Sequence, residues 1–233
     1  MRLIMFKLIQ MNKFDTKYLP YFPIFGLGLY IIAFTFSASA YPGGSINYPH
    51  ANGYSFYHNF LCDTMNPITQ SGIINNARFL AIISHLILSF TMISFFYILP
   101  KIFDVKNRNT TLIAYFGIAA MTVFIFIYTE YHDLIVTITG VLGAIALIPF
   151  FIELQYFKNK GLKRLAYLCY ALSIIVFFIF ETKIGLYYLP FLQKITFVFD
   201  AYWVIWSCII VINKNKTSLK LVRQNITEVL RKP

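Results

Sequence analysis

Charge is what this sequence has least of: 12% of its 233 residues are Asp, Glu, Lys or Arg, and only nine of these are acidic. An ordinary soluble domain carries about 25% charged residues. A chain this poor in charge and 58% hydrophobic has more apolar surface than a water-soluble core of its size can hide. Cysteine is scarce too, three residues with no Cys-x-x-Cys pair, which removes a disulfide scaffold, a zinc ribbon and a thioredoxin-type redox site. There is no Gly-rich phosphate loop and no internal repeat. These absences exclude a soluble enzyme, a nucleic-acid-binding domain and a small disulfide-stapled module.

What is abundant is aromatic and aliphatic: 25 Phe, 17 Tyr and a mean hydropathy of +0.66. Six apolar stretches follow one another, Pro20 to Ala40, Ile73 to Leu99, Thr110 to Thr129, Leu134 to Phe157, Leu165 to Phe180 and Tyr187 to Ile212. Each reaches across ~30 Å of hydrocarbon as a helix, the fifth only marginally. Barrel strands would alternate in polarity over ~10 residues. Runs such as Ile113 to Ile127 do not alternate, so the spans read as helices. The expected fold is all-α, a polytopic bundle of six transmembrane helices with a structured first outer loop. The expected organisation is an N-terminal segment 1–19, a membrane domain 20–212 containing loop 41–72, and a basic tail 213–233.

The net charge of +11 is then read by placement. With the N-terminus in the cytoplasm, 17 of the 20 Lys and Arg fall on the cytoplasmic side, leaving Arg78, Lys183 and Lys194 opposite. The positive-inside rule therefore predicts cytoplasmic termini in a bacterial inner or plasma membrane, and the charge records topology rather than a nucleic-acid partner. In the tail, Leu219, Val222, Ile226, Val229 and Leu230 keep helical spacing among basic residues, which suits either an anionic lipid surface or a solvated helix. The basic start, the run Ile24 to Phe36 and Ser37-Ala38-Ser39-Ala40 imitate a cleavable signal. The length to Ala40 and the Tyr41-Pro42 that follows argue against it.

Polarity inside the apolar chain is concentrated on the predicted outer side. Tyr41-Pro42-Gly43-Gly44 offers turn chemistry, and Gly53 to Asp63 is aromatic enough to lie at the interface. A short helix there would put His58, Asn59 and Asp63 on neighbouring faces, as an interfacial anchor with a capped turn or as a lid over a polar site. His132 and Asp133, in the turn between the third and fourth spans, are either an ordinary helix cap or part of that same site. Asp133 and Thr137 share a face, with Gly140, Gly143 and Ala144 below them for close packing. His85 and Asp200 lie at comparable depth within the second and sixth spans. An intramembrane Asp requires a partner, and His85 is the expected one, with Lys194 on a different face of its own helix. Glu181 and Lys183 read as interface anchors, and Glu153 has no assigned role.

The motifs Tyr41-Pro42-Gly43-Gly44, Gly53-Tyr54-Ser55-Phe56 and Asn59-Phe60-Leu61-Cys62-Asp63-Thr64 resemble bacterial six-helix membrane proteins of the type grouped as domain of unknown function 998. Leu61-Cys62-Asp63-Thr64 is also similar to the Ser-Asp-Thr-Gly motif after the first helix of the Frag/DRAM/Sfk family, with Cys62 in place of Ser and Met65 in place of Gly. The specific likeness covers about 25 residues of loop. It implies a six-helix bundle with a motif-bearing outer loop and supplies no catalytic residue.

Three function classes remain. A membrane protein that binds lipid or a membrane partner through the aromatic loop needs no further chemistry. A proton-coupled transporter would use Asp200 and His85, its small vessel calling for a homo-oligomer. A lipid-modifying enzyme would either hold a metal among His58, His85, His132, Asp63, Asp133 and Asp200, whose spacing fits no zinc motif, or work without one. The first is the leading expectation, with membrane lipids as partners and neither a metal nor a cofactor assigned.

Overall fold

The computed structural model describes residues 18–231, with side chains through 218. The basic residues before 18 and the tail side chains from Leu219 onward lie outside the described residues. Six α-helices are described: α1 Phe22–Ser39, α2 Arg78–Ile98, α3 Arg108–Phe124, α4 His132–Gln155, α5 Lys160–Thr182 and α6 Leu189–Arg231. Five of them are long and apolar enough to cross a membrane; α3, at 17 residues, is the short one. The fold is an all-helical bundle.

Each start has a local cause. A Pro-containing turn, Leu19–Tyr21, feeds α1, whose own second residue is Pro23. Asn75 Oδ1 accepts from the Ala77 amide at 3.0 Å just ahead of α2. A reciprocal capping box of Asn107 and Thr110, both bonds at 3.0 Å, opens α3, and Asn159 caps α5 through Leu162 N. Helix α5 stops where Lys183 and Gly185 turn left-handed.

Two boundaries differ from expectation. The third apolar stretch does not run helically to Thr129: α3 ends at Phe124 and residues 125–130 form turns. The last helix does not stop at Ile212 but continues to Arg231, 43 residues in all.

Helix α1 packs on α2, α2 on α3, α3 on α4, and α5 on α6, while α6 reaches back to α1 and α2. Helices α4 and α5 barely touch. Gly140 meets the Phe177 ring there, whereas Gly143 faces open space. Between helices surrounded by lipid, close fit replaces the hydrophobic effect as the source of cohesion. A Cβ on Gly26 would overlap the Thr91 side chain, so this glycine is what lets α1 and α2 approach.

The larger core gathers Leu27, Phe95, Ile98, Ile113, Phe150, Leu154, Leu162 and Val204 toward the end opposite the long loop, called here the far end. There Asn107 and Asn109 both donate to Glu153 Oε1, at 2.8 and 2.7 Å, so the glutamate ties the start of α3 to the end of α4. A smaller core of Met65, Ala81, Ile127 and Ile135 lies at the loop end.

Candidate functional site

The loop between α1 and α2 is a folded cap. Gly43 and Asn52 pair as an antiparallel bridge, and Gly44 N donates to Ala51 O at 2.7 Å. Gly44 sits at φ +84°, where a Cβ would also lie 2.7 Å from Pro49 O, so no other residue fits this turn without strain. Its carbonyl accepts from Tyr41 OH at 3.1 Å and from Asn59 Nδ2 at 2.7 Å.

Asn59 and Asp63 are brought together as their spacing suggests, but in turns and a short 3-10 segment, Asp63–Met65, in place of a helix. Asn59 Nδ2 donates to Asp63 Oδ2 at 2.9 Å, Phe60 N donates to the same oxygen at 2.9 Å, and Asn59 Oδ1 accepts from Ser55 N at 2.8 Å. Both side chains are buried. Burial raises the Asp63 carboxyl above its ordinary range, against the opposing pull of the Asn59 and Phe60 hydrogen bonds, Lys194 and His132. The neighbouring Cys62 thiol is pushed up to about 12, by burial first and then by Asp63, so it stays protonated and is no nucleophile. Tyr41 is pushed up to about 12 by the same two causes in the same order.

The residue that joins this cap to the bundle is Lys194, 4% exposed, in the first turns of α6. Its Nζ donates to the Asn59 carbonyl and, at 3.0 Å, to the Pro190 carbonyl, and lies 5.5 and 5.4 Å from the Tyr54 and Phe56 ring centres. Next to it, Gln193 Oε1 accepts from Leu61 N at 3.0 Å. On the other flank Asn75 Nδ2 donates to the carbonyls of Thr64 and Asn66, both at 2.8 Å, and Arg78 Nε to Met65 O at 3.1 Å. Gln193 and Asn75 are not among the residues the sequence singles out, and Lys194 stands there only as a partner for Asp200. The available signal was that Arg78 and Lys194 are two of only three basic residues on their side.

His132 and Asp133 hydrogen-bond each other, Nδ1 to Oδ1 at 2.8 Å, with Asp133 74% exposed. They share the loop end with the cap: His132 is within electrostatic range of Asp63, and Asp133 of Cys62. No hydrogen bond links the two pairs among those described. Thr137 bonds Asp133 O at 3.0 Å and Glu181 Oε1 at 2.7 Å, joining α4 to α5. Lys183 lies 4.1 Å from the Phe180 ring centre.

His58 is apart from all of these. Its ring lies 4.5 Å from Tyr48 and 5.8 Å from Tyr187, in a cluster with Tyr57, Phe56, Phe191 and Tyr188. Tyr48 and Tyr187 also meet through their hydroxyls at 3.1 Å, and Asn47 Nδ2 donates to Tyr187 O at 2.9 Å. Six of these rings, Tyr48, Phe56, Tyr57, Tyr187, Tyr188 and Phe191, are exposed.

The expected pairing of His85 with Asp200 is not what these side chains do. His85 Nε2 bonds Phe124 O at 2.8 Å and Ser89 Oγ at 3.2 Å. It thus shares, with the Ile127 amide at 3.2 Å, a carbonyl at the early end of α3. Asp200 accepts from the Cys169 thiol of α5 instead. The seven expected site residues therefore divide into five surroundings, and among the described residues no three His, Cys, Asp or Glu converge on a point that could hold a metal ion. No protein-family model, no characterised protein and no solved structure matches this chain.

Proposed function

We propose that this chain is an integral membrane protein that binds lipid at its loop end, holding the headgroup region against a preorganised patch of aromatic rings. The observation that carries this reading is the joining of six exposed rings from two distant segments into one surface, Tyr48, Phe56 and Tyr57 from the cap with Tyr187, Tyr188 and Phe191 around the start of α6. Tyr and Phe suit the membrane interface because one part of the ring is apolar and its edge or hydroxyl is wet. The polar groups beneath them, Asn59, Asp63 and Lys194, are already spent on the cap's own backbone, so they serve rigidity. A rigid patch loses little conformational freedom on binding.

The 17-to-3 division of basic residues supports cytoplasmic termini and an outward loop end in a bacterial inner or plasma membrane. The likeness of the loop motifs to the six-helix family supports the same outward cap. Native mass spectrometry of the protein released from nanodiscs tests the reading directly. Replacing Phe56, Tyr57 and Phe191 by Ser is expected to lower retained lipid by about tenfold or more, since each such aromatic contact contributes ~0.5–1.5 kcal/mol. Unchanged lipid occupancy in a folded triple variant would refute lipid binding at this patch.

A further inference from the structure

On the surface of α6 the residues Gln193, Thr196, Asp200, Trp203, Ser207 and Lys214 fall within an arc of about 80°. One face of a membrane-crossing helix thus carries a polar group at nearly every turn, with Val211 on the edge of the arc and Ile210 just beside it as the apolar interruptions. Other hydroxyls of this bundle have a partner, most often a carbonyl of their own helix, as Thr91 has in Ile87 O, Thr122 in Ile118 O, Thr182 in Phe178 O and Thr196 in Leu192 O. Ser207 does not. It is 1% exposed, and its hydroxyl has no partner among the described residues. One turn toward the loop end, the indole nitrogen of Trp203 is enclosed and likewise unpartnered, its ring held 5.4 Å from Phe95 and 5.5 Å from Phe150. Two enclosed polar groups one helical turn apart and without protein partners suit a small hydrogen-bonding guest, and water matches both a donor and a hydroxyl.

An opening lies one helical turn away. At the far end an open cavity of about 610 Å³ is lined by Asp104, Ile210, Asn213, Lys214, Thr217 and Ser218. Lys214 and Asp104 form an ion pair at 2.7 Å in its wall. Ile210 is its lining residue deepest along α6, and Ser207 lies a single helical turn, about 4.5 Å, beyond.

We propose that this cavity is the mouth of a water-filled half-channel that passes Ile210, runs along Ser207 and Trp203 and ends at Asp200, giving that carboxylate protonic contact with the far end alone. The chemistry is exchange only: a water O–H bond breaks as an Asp200 O–H bond forms, and the reverse step returns the proton, with no redox partner. Toward the loop end the polar groups of this face are engaged by protein, Gln193 Oε1 by Leu61 N and Thr196 by its own helix, in contrast to Ser207 and Trp203. The titratable group that meets Asp200 from α5 is Cys169, its donor. Lys194 lies about 120° round α6 from Asp200 and is engaged by the Asn59 and Pro190 carbonyls.

The test is side-specific thiol labelling of the full chain in oriented vesicles, with peptide mass spectrometry reading each cysteine separately. In a Cys208→Ala background, Ser207→Cys is expected to react with a small charged thiol reagent from the far-end side, within about tenfold of Asn213→Cys, and Ile210→Phe to slow it about tenfold. Val198→Cys, on the lipid-exposed face, serves as the unreactive control. If Ser207→Cys is as inert as Val198→Cys while Asn213→Cys reacts, or reacts faster from the loop-end side, the half-channel is overturned. Should that variant not fold, Trp206→Phe leaves Trp203 as the single indole. Quenching by aqueous acrylamide must then fall when Ile210→Phe is added, and equal quenching overturns the proposal. Infrared detection of the protonated Asp200 carboxyl, identified by its loss in Asp200→Asn, is expected to follow far-end pH; a response to loop-end pH alone is equally fatal.

Discussion

Replacing Lys194 by Met keeps the methylene stem packed while deleting the charge that fastens the cap to α6. The ammonium bonds two carbonyls and faces two rings. A hydrogen bond from a charged donor contributes roughly 1.5–3 kcal/mol, and a partly desolvated cation–π contact roughly 1 kcal/mol more. Burying the ammonium costs part of this back, whereas the Asn59 carbonyl stranded by the substitution adds a penalty of about 1–3 kcal/mol. The net expectation is about 2–3 kcal/mol of lost cap stability, which raises the population of the open cap roughly 30- to 140-fold. Hydrogen exchange of the protein in nanodiscs reads this as faster exchange in peptides covering 54–65, while peptides within α2 keep their protection. A change below about threefold in the cap, or one spread equally into α2, would refute the clasp role.

Three further outcomes follow from the same reasoning. Because burial raises the folded-state carboxyl of Asp63, its contribution to cap stability is complete below the ordinary value of 3.8 and is lost as pH rises through the raised one. Cap protection, after correction for the intrinsic acceleration of amide exchange by base, should therefore fall as pH rises over that window, and Asp63→Asn should flatten the slope. His85→Phe removes the bond to Phe124 O and should lower thermal stability by about 0.6–1.7 kcal/mol, the span measured for interhelical bonds in membranes, whereas an unchanged melting temperature would deny His85 a capping role. Glu153→Gln keeps an acceptor for Asn107 and Asn109 and should be near neutral, while Glu153→Leu deletes both hydrogen bonds, one to an exposed and one to a half-buried amide, at about 0.5–1.5 kcal/mol each, a difference that thermal melts in detergent resolve.

Hydropathy located every helix of the bundle because transfer into hydrocarbon depends on composition summed over a span, and composition is written in the chain. It misplaced the ends where bonding decides. Ile125-Phe126-Ile127 is as apolar as a span, yet α3 breaks before it, and His85 accommodates the break by bonding the Phe124 carbonyl. Asn213-Lys214-Asn215-Lys216 ends the hydrophobic run without ending α6, since leaving the apolar stretch does not oblige a helix to stop. In the candidate site, the Asn59 and Asp63 spacing was legible because it is local. The Lys194 clasp was not, for its partners are backbone carbonyls, and no side-chain pattern announces a carbonyl. His85 and Asp200 failed as a pair for a related reason: equal depth puts two groups on one level of the bundle but leaves their azimuth open. Cys169 and Phe124 hold the azimuths they require.

The uninterrupted length of α6 has a mechanical consequence. Lys194 grips the cap and Lys214 grips Asp104 and the Ile102 carbonyl, and some 30 Å of rigid rod separates the two grips. A lateral displacement of about 2 Å at the cap, with the opposite grip as pivot, is a tilt of roughly 4° over that length, which needs no bond within the rod to break. Such a beam cannot yield at one end in isolation: lifting the cap either tears Lys194 from the Asn59 carbonyl or swings the whole rod against the Phe95 and Phe150 rings that brace Trp203 between the grips.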